Sequence, residues 1–391
     1  MIHLINEQLK TIEVSGIRAI ANKAAADPDI INMTLGQPDF PTPEKIKSAG
    51  KKAIDDNYTT YTHNAGLLQL RQAASEYMNR LYGLSYRPED EVIVTIGASE
   101  AIDAAFRAIL EEGSEVIIPA PVYPGYVPTI TLCGAVPVYI DTRETGFKVT
   151  AAMIEEKLTE RTRCIVLSYP SNPTGCTLDQ EEIAKIAHLL KDKDIFILSD
   201  EIYSGLVYDK DHHSIASVPE LREKTILING LSKSHSMTGW RIGFVFGPAE
   251  IAGELLKVHL FNTVCASTIS QYAAIAALAE EIDEVAQMKV EYKRRRDYVY
   301  ERAVSMGLDV VKPESAFYLF PSIKQTNMTS LDFALQLLEE AKVAVVPGSA
   351  FSELGEGYIR LSFACSMEEL EEGFNRIERF LKKIGVHAAV H

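Results

Sequence analysis

Cysteine is scarce in this 391-residue chain. The five, Cys133, Cys164, Cys176, Cys265 and Cys365, are odd in number and scattered, and no C-x-x-C pair occurs. A disulfide framework and a cysteine-based zinc site are therefore not expected, and buried thiols in a reducing cytoplasm are. No apolar run reaches the roughly twenty residues of a membrane-spanning helix. The start, "MIHLINEQLKTIEVSG", lacks the basic opening and long apolar run of a signal peptide. In a protein that is not secreted, the N-x-[ST] triplets at Asn32, Asn57 and Asn327 are chance matches. Low-complexity tracts and internal repeats are missing too, which leaves out solenoids and long linkers. Basic residues are in deficit: the net charge of −15 argues against a nucleic-acid backbone as partner. The only tryptophan, Trp240, reads as a packing residue.

What remains is an ordinary globular composition, 47% hydrophobic and 24% charged. The length suggests two domains. From about residue 90 to 285, apolar stretches alternate with helical ones. "EVIVTI" (91–96), "SEVIIPA" (114–120), "AVPVYID" (135–141), "RCIVLSYP" (163–170), "DIFILSD" (194–200), "KTILING" (224–230) and "WRIGFVFG" (240–247) read as strands. Continuous apolar strands separated by helices predict an α/β fold: a large domain with a mostly parallel, seven-stranded type of sheet flanked by helices. Residues 283–306 read as one long polar helix. The strands and two helical runs after it read as a smaller α+β domain, with residues 1–45 draped over it. The expected division is 46–285 for the large domain and 1–45 with 286–391 for the small one.

In an open parallel sheet, ligands bind beyond the carboxyl ends of the strands. Read together, those ends offer Gly97-Ala98-Ser99 opening a helix, then Tyr123, Asn172, Asp200, Tyr203, Ser232, Lys233 and Arg241. A helix N-terminus with Ser99, Ser232 and Arg241 suits a phosphate. Tyr123 suits a flat ring, and Asn172 and Tyr203 a ring hydroxyl. Asp200 suits a protonated ring nitrogen, and Lys233 suits an aldehyde, with which an amine condenses. Pyridoxal 5'-phosphate carries all of these groups. No metal is expected. His212-His213 lacks a second ligand cluster and reads as a polar loop, and Lys293-Arg294-Arg295-Arg296 as a solvated or interdomain face.

The motifs "SYPSNPTG", "LSDEIY" and "GLSKSHSMTGWRIG" resemble those of the class I/II aminotransferases, pyridoxal-phosphate enzymes of fold type I, and the likeness runs in order along essentially the whole chain. The resemblance implies Lys233 as the Schiff-base lysine, Asp200 on the pyridine nitrogen, and Asn172 and Tyr203 on the ring oxygen. It implies Tyr123 over the ring and Ala98, Ser99, Ser232 and Arg241 on the phosphate. In "YTHNAG", Tyr61 matches a tyrosine that reaches the neighbouring subunit's phosphate in a homodimer; the proline common in that motif is replaced here. In "GYIRLSF", Arg360 matches the arginine that holds the substrate α-carboxylate, and Gly36 of "LGQPDF" lies near it, as does Asn172. The implied reaction moves an amino group between an amino acid and a 2-oxo acid, with glutamate and 2-oxoglutarate as one pair, by a ping-pong mechanism. Lys233 transfers the proton, and Asp200 and Tyr203 support it. "TIGASEAIDAAFR" and "LSFACSM" with the motifs above are similar to the N-acetyl-L,L-diaminopimelate aminotransferases of bacterial lysine synthesis. Aromatic or aspartate transamination and a fold type I C–S β-lyase are the alternative expectations. A regulator that senses the cofactor is disfavoured, since no basic helix-turn-helix pattern precedes the sheet.

Overall fold

The computed structural model describes residues 1–12, 20, 24 and 27–386. Those parts of the expected small domain at 13–19, 21–23, 25–26 and 387–391 lie outside the described residues. Seven strands make one sheet: β1 (Val92–Thr95), β2 (Glu115–Ala120), β3 (Val136–Asp141), β4 (Thr162–Leu167), β5 (Phe196–Asp200), β6 (Thr225–Gly230) and β7 (Gly243–Phe246). Their order across the sheet is β1-β7-β6-β5-β4-β2-β3. From β6 to β3 every neighbour is parallel, while β7 runs antiparallel to both β1 and β6.

All residues of β1, β2, β6 and β7 are buried, which is why these strands read as unbroken apolar runs. Alternate side chains feed two layers. Ile118, Val166 and Leu198 pack beneath helix α1 (Gly97–Ile109) with its Ile102 and Phe106. Ile117, Ile165 and Ile197 pack on the other face with Ile183 and Ile186. The edge strand β3 keeps Val136 and Tyr139 exposed. A second short helix, α2 (Tyr126–Leu132), follows β2.

The chain ends build most of a further core, to which Tyr203, Leu206 and Tyr208 also contribute. Met33, Tyr292, Val299, Phe317, Leu337 and Phe374 belong to it. Its frame is the long helix α3 (Asp283–Ser305), the strands β8 (Tyr318–Leu319), β9 (Val346–Pro347) and β10 (Ile359–Ser362), and helix α4 (Met367–Lys383). The three strands form an antiparallel sheet in the order β9-β10-β8. Ile31–Asn32 pairs in parallel with Val343–Ala344, tying the N-terminal segment to it. Helix α4 starts with a capping box between Ser366 and Glu369 and buries Leu370, Phe374, Ile377 and Leu381 along one stripe. Among the described residues, no helix is long and apolar enough to cross a membrane.

One local expectation is corrected. The last large-sheet strand starts at Gly243, not at residue 240, because Thr238–Trp240 makes a 3₁₀ turn and Arg241 takes φ 56°. Of the basic run on α3, Lys293 and Arg294 face solvent, but Arg295 and Arg296 are buried. Arg295 pairs with Asp39 at 2.8 Å and Glu291 at 2.9 Å, and Arg296 with Asp209 at 2.6 Å. These ion pairs clamp the helix to residues 39 and 209, so the run is part solvated and part held against other segments, within the expectation of a solvated or interdomain face. Trp240 packs as expected: its indole N–H donates to Thr42 Oγ1 at 3.1 Å, and its ring lies where a side chain at Gly50 would sit.

Candidate active site

The parallel strands all end at one rim of the sheet. Because β7 is antiparallel, its beginning reaches the same rim: Gly243 pairs with Gly230 at the end of β6 and with Thr95 at the end of β1. This places Arg241, which precedes a strand, beside groups that follow strands. A cavity of about 750 Å³ opens there. Of the residues singled out in the sequence, Gly36, Ala98, Ser99, Tyr123, Asn172, Asp200, Tyr203, Ser232, Lys233, Arg241 and Arg360 all line it. Tyr61 does not; it stands 82% exposed elsewhere on the surface.

One end of the cavity is built for an anion. Helix α1 begins there, and its first N–H groups have no partner within the helix. Gly97 takes φ +72°, and a side chain on it would run into the Arg241 guanidinium. Glycine is thus what lets the guanidinium lie against the helix start. Arg241 Nη1 donates to the Thr238 carbonyl at 2.9 Å, which fixes the fork and leaves donors free. Ser232 is buried alongside.

In the middle sits Asp200, 4% exposed. Its Oδ2 accepts from the Tyr126 hydroxyl at 2.6 Å, and its Oδ1 from the Ile202 N–H at 3.1 Å. Ser168 Oγ lies 2.9 Å from the same phenol. Burial nevertheless raises the proton affinity of Asp200 above the usual aspartate range, against the pull of these two hydrogen bonds. Such a carboxylate suits a cationic partner in the cavity. The Tyr123 ring stands edge-on to Tyr126, centroids 5.5 Å apart, and a side chain at Gly125 would strike it. Tyr203 and Tyr318 share a hydrogen bond of 2.8 Å between their hydroxyls. Burial raises both phenols, Tyr203 the more strongly, so both stay protonated donors at neutral pH.

Lys233 reaches across the cavity, and its Nζ donates to the Gly36 carbonyl at 2.5 Å. Desolvation in the cleft, and then the charges of Arg360 and Arg241, push its amine down to about 8. Arg360 lies on β10, two residues before Ser362, which pairs with Tyr318. That register sets Arg360 and Tyr318 on one face, and the guanidinium stacks 4.3 Å over the Tyr318 ring. Nη1 donates to Asn172 Oδ1 at 2.9 Å and Nη2 to the Thr34 carbonyl at 2.8 Å. Nε is buried and has no partner among the described residues. A guanidinium has five N–H donors, so donors remain for a carboxylate. With its oxygen engaged, Asn172 has its amide N–H left for a ligand.

Tyr126, Ser168, Tyr318 and Thr34 escaped the sequence reading. The one available signal was in "PVYPGY", where a second phenol follows Tyr123 by three residues at a helix start. His212 lies in a polar loop as expected, with its side chain 5% exposed and in contact with Glu201 at 2.6 Å. Among the described residues no cluster of metal-binding side chains occurs, and all five cysteines are free.

The donor set matches a phosphorylated, hydroxylated pyridine aldehyde together with a carboxylate. The match rests on the glycine-lined anion cradle, the Asp200 carboxylate, a lysine with a lowered pKa and the orphaned Arg360 Nε. Comparison with known proteins agrees. The family model for aminotransferase class I and II matches residues 28–377. The chain is 59% identical to the "Probable N-acetyl-LL-diaminopimelate aminotransferase" of Bacillus subtilis, over 98% of this chain and 97% of the relative. It is 40% identical to an aspartate aminotransferase of Pyrococcus abyssi, over 97% and 98% of the two chains. A solved aromatic aminotransferase from Pyrococcus horikoshii superposes with a TM-score of 0.89 at 41% identity, covering 93% of this chain and 99% of that one. The seven-stranded sheet is thus that of a fold type I enzyme, and the chain belongs to the class I and II aminotransferase family.

Proposed function

We propose that this aminotransferase is a pyridoxal 5'-phosphate enzyme whose amino donor is N-acetyl-L,L-diaminopimelate, with glutamate and 2-oxoglutarate as the other pair. The 59% identity to the Bacillus subtilis relative carries the choice of donor. Aspartate or an aromatic amino acid is the second reading, favoured by the names of relatives near 40% identity. A panel of donors with 2-oxoglutarate decides between them. Rapid turnover of the N-acetylated diamino acid supports the first reading; its absence, with rapid turnover of aspartate or phenylalanine, transfers the assignment to the second.

When bound, the cofactor supplies an aldehyde that captures amines and a ring that takes up electrons from the adjacent carbon. Their placement and the family likeness support the following roles for the protein's own groups. The α1 amides at Ala98 and Ser99, with Ser232 and Arg241, hold the phosphate. Tyr123 covers the ring, and Asn172 and Tyr203 donate to its oxygen. Asp200, steadied by Tyr126, keeps a proton on the ring nitrogen. Lys233 carries the proton lost from the substrate α-carbon. Arg360 grips the α-carboxylate, and Gly36 lines the space beside it. Tyr61, exposed in one chain, serves the phosphate of a partner in a cytoplasmic homodimer. The division into 46–285 and the joined ends 1–45 and 286–391 puts Asp200 and Lys233 on one unit and Arg360 on the other, with the substrate between them.

Replacing Arg360 with lysine is expected to raise KM for the amino donor about tenfold to a hundredfold. A hydrogen bond to a charged group contributes about 1.5–3 kcal/mol, and the ammonium is a point charge that cannot reproduce the fork. Steady-state kinetics measure it; an unchanged KM removes the carboxylate role. The pH dependence of cofactor capture is the other check. Below pH 8 the Lys233 amine is mostly an ammonium ion and has no lone pair to attack with; above pH 8 it is mostly neutral. Stopped-flow capture by cofactor-free protein is therefore expected to accelerate with rising pH through a midpoint near 8. A midpoint at an ordinary lysine value, about 10.4, contradicts the lowered pKa.

A further inference from the structure

Tyr203 and Tyr318 come from distant segments and meet inside the cavity. Tyr203 follows β5 by three residues, and Tyr318 opens β8. Both are buried, and both line the cavity. Their rings stand edge to face, centroids 5.8 Å apart, and their hydroxyls share one hydrogen bond of 2.8 Å. The Arg360 guanidinium covers the Tyr318 ring at 4.3 Å. A side chain at Gly36 would come within 3.3 Å of the Tyr318 oxygen, so the backbone of residue 36 packs close beside that hydroxyl. The other titratable groups facing the pair are Asp200 and Lys233 beside Tyr203, and Tyr123 beside Tyr318.

A phenol has one proton to donate. Where two hydroxyls share a hydrogen bond, one spends its proton on the other, and the acceptor keeps its own for a third group. The 2.8 Å contact allows either direction. The Arg360 charge lies over Tyr318, and burial raises the proton affinity of Tyr203 more strongly than that of Tyr318. Tyr318 is therefore the more acidic hydroxyl and the better donor. An oxygen of a ligand beside Tyr203 can take the Tyr203 proton only when that proton is not spent on Tyr318. We infer that Tyr318 is a positioning residue: its hydroxyl donates to Tyr203, so that the single Tyr203 proton is aimed at the oxygen of the cofactor ring, while its ring face seats Arg360. This deepens the cofactor reading and rests on it for the part about the ring.

Neutron diffraction from deuterated crystals of the cofactor-free protein reads the direction without the cofactor. The expected result is a deuteron on the Tyr318 oxygen, lying on the line to Tyr203. A Tyr203 deuteron on that line overturns the inference, whatever becomes of the cofactor. In the loaded protein, Tyr203 draws charge off the ring oxygen, and that charge otherwise holds the proton of the Lys233-bound chromophore. Tyr318→Phe keeps the face that seats Arg360 and removes only the hydroxyl, so donation by Tyr203 weakens and the chromophore keeps its proton to higher pH. Its absorbance midpoint is expected to rise by about half a unit and kcat to fall about threefold to tenfold, with KM for the amino donor within about twofold of the parent. Tyr318→Leu also removes the aromatic face and should raise KM as well. Tyr203→Phe should move the midpoint further than Tyr318→Phe does, and adding Tyr318→Phe to it should move it no further. A residue that merely packs would change KM or stability and leave the midpoint alone. A Tyr318→Phe midpoint equal to the parent's, or a double variant whose shift is the sum of the two single shifts, overturns the inference. A parent protein that forms no chromophore at all counts against the cofactor reading instead, and the deuteron position still decides the direction.

Discussion

A Lys233→Ala protein is expected to lose at least about a thousandfold in turnover, the upper part of the range for one general acid–base group. Two losses combine. Among the described residues it is the only amine lining the cavity, so covalent capture of an aldehyde there is expected to end with it. The proposed proton carrier for the substrate α-carbon goes with it. The cradle remains, because the α1 terminus, Ser232 and Arg241 do not depend on Lys233 for their positions. The alanine protein should therefore still bind the cofactor, without the absorbance of a covalent adduct. Absorbance spectra, single-turnover kinetics and mass spectrometry after borohydride check this. Turnover within tenfold of the parent, or borohydride labelling at another residue, would sink the assignment.

The second large effect is expected at Asp200. Replacing it with alanine should lower kcat by about a hundredfold to a thousandfold, the scale seen when one preorganised electrostatic group is removed from a reacting centre. Cofactor affinity should fall far less, since the proposed phosphate-binding groups, Ser99, Ser232 and Arg241, lie on other elements. The Tyr126 hydroxyl would also lose its acceptor at 2.6 Å. A variant that keeps near-normal turnover rejects the idea that this carboxylate holds the ring proton. Equilibrium dialysis with the cofactor and pre-steady-state kinetics separate retention from chemistry.

The large sheet was legible because most of its strands are buried on both faces, which leaves runs such as "TILING" without polar interruption. Asp200 and Lys233 were legible for a related reason: each stands just beyond such a run, where a parallel sheet gathers its ligand groups. The antiparallel turn of β7 was not legible, since an apolar tetrapeptide carries no mark of direction. Arg360 was out of reach of spacing altogether. Its partner Asn172 lies 188 residues away, and only family likeness picked it out. Tyr126 was hidden because nothing in its neighbourhood says that α2 brings its phenol to a carboxylate 74 residues on.

The pairing of Gly230 with Gly243 has a bearing on how this protein tolerates change in length. The span from 231 to 242 is pinned at both ends by neighbouring rails of one ladder, and it carries the amine early and the guanidinium late. An added or deleted residue anywhere inside it would displace one of the two relative to the other. In a scanning library of single-codon insertions, this span should appear as a sharp blank bordered by permissive surface loops.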